Sequence, residues 1–140
     1  MRLVYVIAGF AGLVGAVTAG AGLYGLYNLE FLEWAMRMGR AFDNPEYGNI
    51  NVDEWRTGYK ASMAIFIAFG IAALIAAYGL FRGQRWAQYL WLSLAAIHMI
   101  APAQELPRDV GTWIWLTVST VIFVSSALVF RKMRRVSAAP

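Results

Sequence analysis

The chain of 140 residues contains no cysteine and a single histidine, and only 14% of its residues are charged. Each shortage closes off some chemistry. Without thiols there is no disulfide, no thiolate nucleophile, no iron–sulfur cluster and no cysteine-ligated zinc, and the redox compartment leaves no trace. One histidine cannot supply both axial ligands of a haem. No G-x-S-x-G, H-E-x-x-H or phosphate-binding loop occurs, so the sequence implies no catalytic residue, no metal and no cofactor.

The scarcity of charge is the most informative of these gaps, since a soluble domain usually carries about a quarter charged residues. The charges are also bunched. None lies between Arg2 and Glu30, Lys60 and Arg82, Arg85 and Glu105, or Asp109 and Arg131, intervals of 27, 21, 19 and 21 residues. About 20 apolar residues in a helix cross the roughly 30 Å of bilayer hydrocarbon. Backbone amides in lipid must be satisfied within the segment, and these blocks are apolar all round rather than alternating as barrel strands do. The expectation is an all-α integral membrane protein: a four-transmembrane-helix up-and-down bundle in one membrane domain. Its spans run over about 3–27, 60–81, 86–103 and 112–130, with an outer segment over 28–59. The start of the chain also has the outline of a signal peptide, with Arg2, an apolar stretch and Val17-Thr18-Ala19; we read it as a retained span.

Charge sets the orientation. One side of such a bundle carries Arg2, Arg82, Arg85, Arg131, Lys132, Arg134 and Arg135 and no acid, whereas the other carries five basic and eight acidic residues. The bias of Lys and Arg places the first side, with both termini, in the cytoplasm, and the Arg131–Arg135 cluster suits anionic lipid at a membrane exit. The pI near 9.7 is thus a matter of topology, and no nucleic-acid partner is implied. The expected location is the inner (plasma) membrane.

Two features suggest helix contacts. Ala8, Gly12, Ala16 and Gly20 recur every fourth residue in the first span, and Ala64, Ala68, Ala72 and Ala76 do so in the second. Such stripes let helices approach closely, either for internal packing of the bundle or for docking of a partner subunit. In the outer segment, Glu30, Glu33, Arg37 and Arg40 share one face of a helix over Glu30–Phe42. Phe31, Leu32, Ala35, Met36, Met38, Gly39 and Phe42 cover the opposite side, an amphipathic pattern with a favourable Glu33–Arg37 pair. This helix either lies flat on the outer surface or continues the first span outward. Asp43-Asn44-Pro45 ends it, and Asn51 with Glu54 resembles a capping box that starts the next helix near Val52.

His98, on the third span, falls in the outer third of the membrane. A histidine there is either a ligand- or proton-handling group or neutral interhelical glue. The outer carboxylates Glu30, Glu33, Glu54, Glu105 and Asp109 read as a solvated face paired with Arg37, Arg56 and Arg108. Thr117, Ser119, Thr120, Ser125 and Ser126 on the fourth span are expected to bond back to their own helix or to bridge to a neighbour. Trp86, Trp91, Trp113 and Trp115 read as interfacial anchors.

The hairpin Gly79-Leu80-Phe81-Arg82-Gly83-Gln84-Arg85-Trp86-Ala87 resembles the turn between helices two and three of small bacterial four-helix membrane proteins of the DoxX-like type. The resemblance covers those residues and the hydropathy outline. It implies an up-and-down bundle in a bacterial inner membrane and carries over no functional residue.

Two functions are expected in order. The first is a non-catalytic subunit or accessory protein that packs against a larger membrane complex. Its partner interface is Phe31, Ala35, Met38 and Phe42 with Gly12, Ala16 and Gly20, and its partners are the lipid bilayer and other membrane protein subunits. The second is a protein binding a lipid, quinone or other apolar ligand near the outer interface, lined by His98, Gln104 and Trp34.

Overall fold

The computed structural model describes residues 2–41, 51–103 and 110–137. These form five helices: α1 (Arg2–Tyr27), α2 (Leu29–Ala41), α3 (Val52–Phe81), α4 (Arg85–Ala103) and α5 (Val110–Ser137). No strand occurs among the described residues. Two stretches, Leu3–Tyr27 and Val52–Phe81, are long and apolar enough to cross a bilayer. The irregular segment expected at 43–50, Phe42, and the outer turn with Gln104, Glu105 and Asp109 lie outside the described residues. Pro102, expected in that turn, belongs to the last turn of α4.

The helix ends follow local chemistry. Asn51 Oδ1 accepts hydrogen bonds from the amides of Asp53 (3.2 Å) and Glu54 (3.4 Å), so the expected cap starts α3 at Val52 by satisfying two otherwise unpaired donors. At its other end Gly83 has φ +68°. The Gln84 amide donates to Gly79 O (2.8 Å) and the Gly83 amide to Leu80 O (3.0 Å), the paired bonds of a Schellman cap. Glycine at position 83 supplies the left-handed conformation that other residues rarely adopt.

Contacts divide the chain into two compact units, Gly15–Ile71 and Met1–Val14 with Ala72–Pro140. In the first, α1 and α3 approach along a seam of small residues. A Cβ added at Gly70 would meet the Ala19 amide and come within 2.7 Å of Gly15 O, while one at Gly22 would lie 2.9 Å from Met63 O and 2.7 Å from the Ile67 side chain. A Cβ at Gly25 would overlap the Met63 thioether. Gly22 and Gly70 let the two backbones run nearly in contact, and Gly25 makes room for the Met63 side chain.

In the second unit the core is Ala8, Ala11, Ala76, Leu80, Ala87, Trp91 and Phe130, all buried. Tyr5 stacks on Phe81 (6.1 Å between centroids), and Phe10 meets Trp91 edge-on (6.3 Å). Trp91 Nε1 donates a buried hydrogen bond to Ser126 Oγ (3.1 Å), tying α4 to α5. Three hydroxyls bond back to their own helix: Thr117 to Trp113 O, Thr120 to Leu116 O and Ser125 to Ile122 O.

Two expectations need correction. Trp91 is 3% exposed and serves as a core residue with its indole N–H satisfied, whereas Trp86 and Trp113 are exposed as interfacial anchors are. The every-fourth-residue stripes pack inward only in part, with Ala8 and Ala76 buried. Ala16, Gly20, Ala64 and Ala68 are exposed, and the inward positions of α1 are Ala8, Ala11, Gly15, Gly22 and Gly25. The reason is geometric: a step of four advances a helix about 40° beyond a full turn, so such a stripe drifts off its face, while alternating steps of three and four stay on it.

Candidate interaction surface

Helix α2 is built on the compact unit of residues 15–71. One residue, Asn28, separates it from α1, and the chain keeps helical bonding on both sides of that residue. The Asn28 amide and side-chain Nδ2 both donate to Tyr24 O (3.0 and 2.9 Å), and the Leu32 amide donates to Asn28 O (3.0 Å). The facing pairs along α1 and α3 are Ala19–Gly70, Gly22–Ile67 and Gly25–Met63. The same antiparallel register carries on to Glu33 of α2, which pairs with Arg56 of α3 at 3.4 Å. Of the two expected arrangements, α2 therefore takes the one that continues α1. It runs beside the first turns of α3.

Glu33 is the polar centre of this region. Arg37 donates to its Oε1 through Nη2 (2.8 Å) and Nε (3.2 Å), and Arg56 Nε stands 3.4 Å from its Oε2. The Arg37 hydrogen bond, aided by the charges of Arg56 and Lys60 and opposed by partial burial, holds the carboxyl below its ordinary value. Its side chain is only 15% exposed, so Glu33 departs from the fully solvated face expected of the outer carboxylates. Arg56 Nε is buried without a hydrogen bond of its own, which leaves the Glu33–Arg56 contact an ion pair rather than a bonded fork.

With Glu33 and Leu29 turned toward α3, the aromatic side of α2 points away. Phe31 (63%) and Trp34 (57%) are exposed and stack on each other with centroids 5.9 Å apart. Met38 is exposed and Ala35 half-buried. Tyr24 and Tyr27 at the end of α1 extend the same surface.

The structure thus brings together Phe31, Trp34 and Met38 on one outward face, with Ala35 at its margin. Trp34, expected as a ligand contact, is part of this surface. His98 is half-buried on α4, in the other compact unit. Gly20 is exposed with nothing within 4 Å of an added Cβ, Ala16 is exposed, and a Cβ added at Gly12 would lie 3.7 Å from the Ala77 Cβ. Sequence reasoning named Arg56 among the partners of the outer carboxylates without assigning it to Glu33, because that pairing depends on the α1–α3 register. It missed Tyr24 and Tyr27, although the alternation of threes and fours leading to Phe31 and Trp34 is written in the chain. Among the described residues, no three or more His, Asp or Glu side chains gather as a metal site would require.

Comparison with known proteins finds no matching family model, no matching curated protein and no matching solved structure.

Proposed function

We propose that this chain is a four-span inner-membrane protein with cytoplasmic termini, and that it works as a non-catalytic subunit packing against other membrane proteins through the outward face of α2. The membrane reading rests on apolar side chains that nothing in the chain covers. Leu3, Val6, Leu13 and Val17 on α1, Ile65 and Ile71 on α3, and Val121 and Leu128 on α5 are all exposed, far more apolar surface than a water-soluble monomer tolerates. α4, at 19 residues, reaches about 28 Å at 1.5 Å per residue, and α5 carries no charge before Arg131. Ala19, in the stretch that imitates a signal-peptide cleavage site, packs on Gly70, which supports α1 as a retained span. The DoxX-like outline of the α3–α4 hairpin agrees with the four-span reading.

The subunit reading rests on one observation, the exposed Phe31–Trp34–Met38 face held outward by the Glu33 contacts on its other side. The test separates insertion from assembly. Phe31→Ala with Met38→Ala leaves every span's hydropathy intact, so protease accessibility of the loops stays as in the parent protein. Truncating buried apolar contacts typically costs a few kcal/mol, so copurification of partner proteins falls by an order of magnitude or more. Copurification that is unchanged in the double variant would return α2 to a passive surface helix.

A further inference from the structure

Along the end of α1 and through α2, the outward residues Tyr24, Tyr27, Phe31, Trp34, Met38 and Ala41 are spaced by alternating threes and fours, and every one of them is exposed. Alternation of this kind is the seam of a left-handed helix pair. We propose that the occupant of this seam is a second copy of the chain, with its α1–α2 parallel to the first. This deepens the subunit reading and rests on it, naming the partner at the face described above.

Lipid alone does not cover the seam. Gly25 faces Met63 and Glu33 faces Arg56, so Lys60, the last charge before the apolar stretch of α3, stands level with about Leu29. The hydrocarbon ends no further out than that. At 1.5 Å per residue, Trp34 lies about 7 Å beyond this level, Met38 about 13 Å and Ala41 about 18 Å. The headgroup layer adds only about 5–8 Å on each side. Tyr24, Tyr27 and Phe31 therefore stand in lipid or headgroups, Trp34 at their outer edge, and Met38 and Ala41 in water. A partner that covers the whole stripe needs a spanning helix that continues outward by the same length with the same orientation. A second copy meets that requirement by symmetry, presenting the same patch to itself.

Area and charge agree. Tyr24, Tyr27, Phe31 and Trp34 are 70, 85, 63 and 57% exposed; at roughly 150–250 Å² per ring they leave on the order of 500 Å² open on each copy. Two copies then bring on the order of 1,000 Å² together, the lower bound for a specific interface. In a parallel pair, the position just before each Phe31-type residue faces the position just after a Trp34-type residue of the other copy. Here the former are Glu30 and Arg37 and the latter Asn28 and Ala35, so no like charges meet.

The absence of native cysteine makes the test clean. Gly20→Cys and Ala41→Cys continue the Tyr27 and Trp34 positions of the seam, inside and outside the bilayer, and both parent residues are small and exposed. Thr57→Cys, exposed on α3, is the control for random collision. Each variant of the full chain is oxidised with copper phenanthroline in native membranes and run on non-reducing gels. The expected result is a dimer of this chain at both seam positions, several-fold above the Thr57→Cys level. Cross-linking no greater than that control, or cross-linking of Ala41→Cys to a different protein, overturns self-pairing while leaving the subunit reading standing. Release of the parent chain from membranes by alkaline carbonate would instead remove the membrane reading on which both depend.

Discussion

Gly70→Ala adds one methyl group at a close approach of α1 and α3, where it meets backbone rather than only a flexible side chain. Its Cβ would lie 2.7 Å from Gly15 O and 2.7 Å from the Ala19 Cβ, and would overlap the Ala19 amide. Two effects oppose each other. Alanine is favoured over glycine in a helix interior by up to about 1 kcal/mol. Against this, overpacking of a closed contact typically costs about 1–3 kcal/mol, and carbonyl and amide atoms of a neighbouring helix cannot rotate away as a side chain does. The helices must separate, which also loosens the contacts of Gly22 and Gly25 with Met63 and Ile67. The expected net is a destabilisation of about 1–2 kcal/mol, a factor of roughly 5–30 in the folded-to-unfolded ratio. Gly58→Ala is the internal control. It lies in the same helix, is exposed, and has nothing within 4 Å of an added Cβ, so only the helix-propensity gain remains and the variant matches or exceeds the parent. Both are measured by titrating the purified protein in mixed micelles with increasing dodecyl sulfate and following tryptophan fluorescence. If Gly70→Ala proves as stable as Gly58→Ala, the close approach of α1 and α3 is wrong.

The same titration tests the Trp91–Ser126 bond: Ser126→Ala strands a buried indole N–H and costs about 1–3 kcal/mol, while Trp91→Phe costs less in the Ser126→Ala background than alone, a coupling that a double-mutant cycle reads directly. Glu33 predicts a pH dependence of known sign. Its carboxyl is held below the ordinary value, so its contribution is fully present above about pH 4.3, the ordinary glutamate value, and is lost as pH falls through the lower folded value. Hydrogen exchange of α2 amides is expected to accelerate over that acidic window in the parent and to show no such step in Glu33→Gln; a step that persists in the variant assigns the effect elsewhere.

How much of this was legible in the chain depends on whether the signal was local. Charge spacing located the four long apolar helices, whereas α2 was read from its amphipathic pattern and the start of α3 from the Asn51 cap. The Asn51 cap and the Gly83 turn were legible for the same reason: each is decided by residues within four positions. The small-residue stripes were found on the right helices, but of their members only Ala8 and Ala76 are buried. Ala8, Gly12, Ala16 and Gly20 catch the eye as a regular repeat, while the inward set Ala8, Ala11, Gly15, Gly22 and Gly25 has uneven steps that only a 3.5-residue period explains. Trp91 was misplaced because an interfacial anchor and a core tryptophan have the same composition; the hydroxyl that satisfies it, Ser126, lies 35 residues away. Glu33 was read as solvated because its neighbour Arg56 comes from another helix.

The change of packing chemistry along the α1–α3 pair argues for where the membrane ends. From Gly15 to Gly25 the inward positions of α1 are occupied by glycine and alanine, which admit the α3 backbone at Gly22 and Gly70 and the Met63 side chain at Gly25. At Leu29 the inward residue becomes a large apolar side chain that is buried, at Glu33 an ion-paired carboxylate, and Val52 at the start of α3 is buried as well. In hydrocarbon, a leucine gains nothing by leaving lipid for protein, so close backbone contact must supply the attraction. In water, burying a leucine stabilises by about 1.5–3 kcal/mol, and no such closeness is required. Along α1 and α2 the switch from small to large inward residues falls between Gly25 and Leu29, level with Lys60. It coincides with the last charge of α3, although the two observations come from opposite helices. The membrane boundary proposed above, placed at that level, accounts for both.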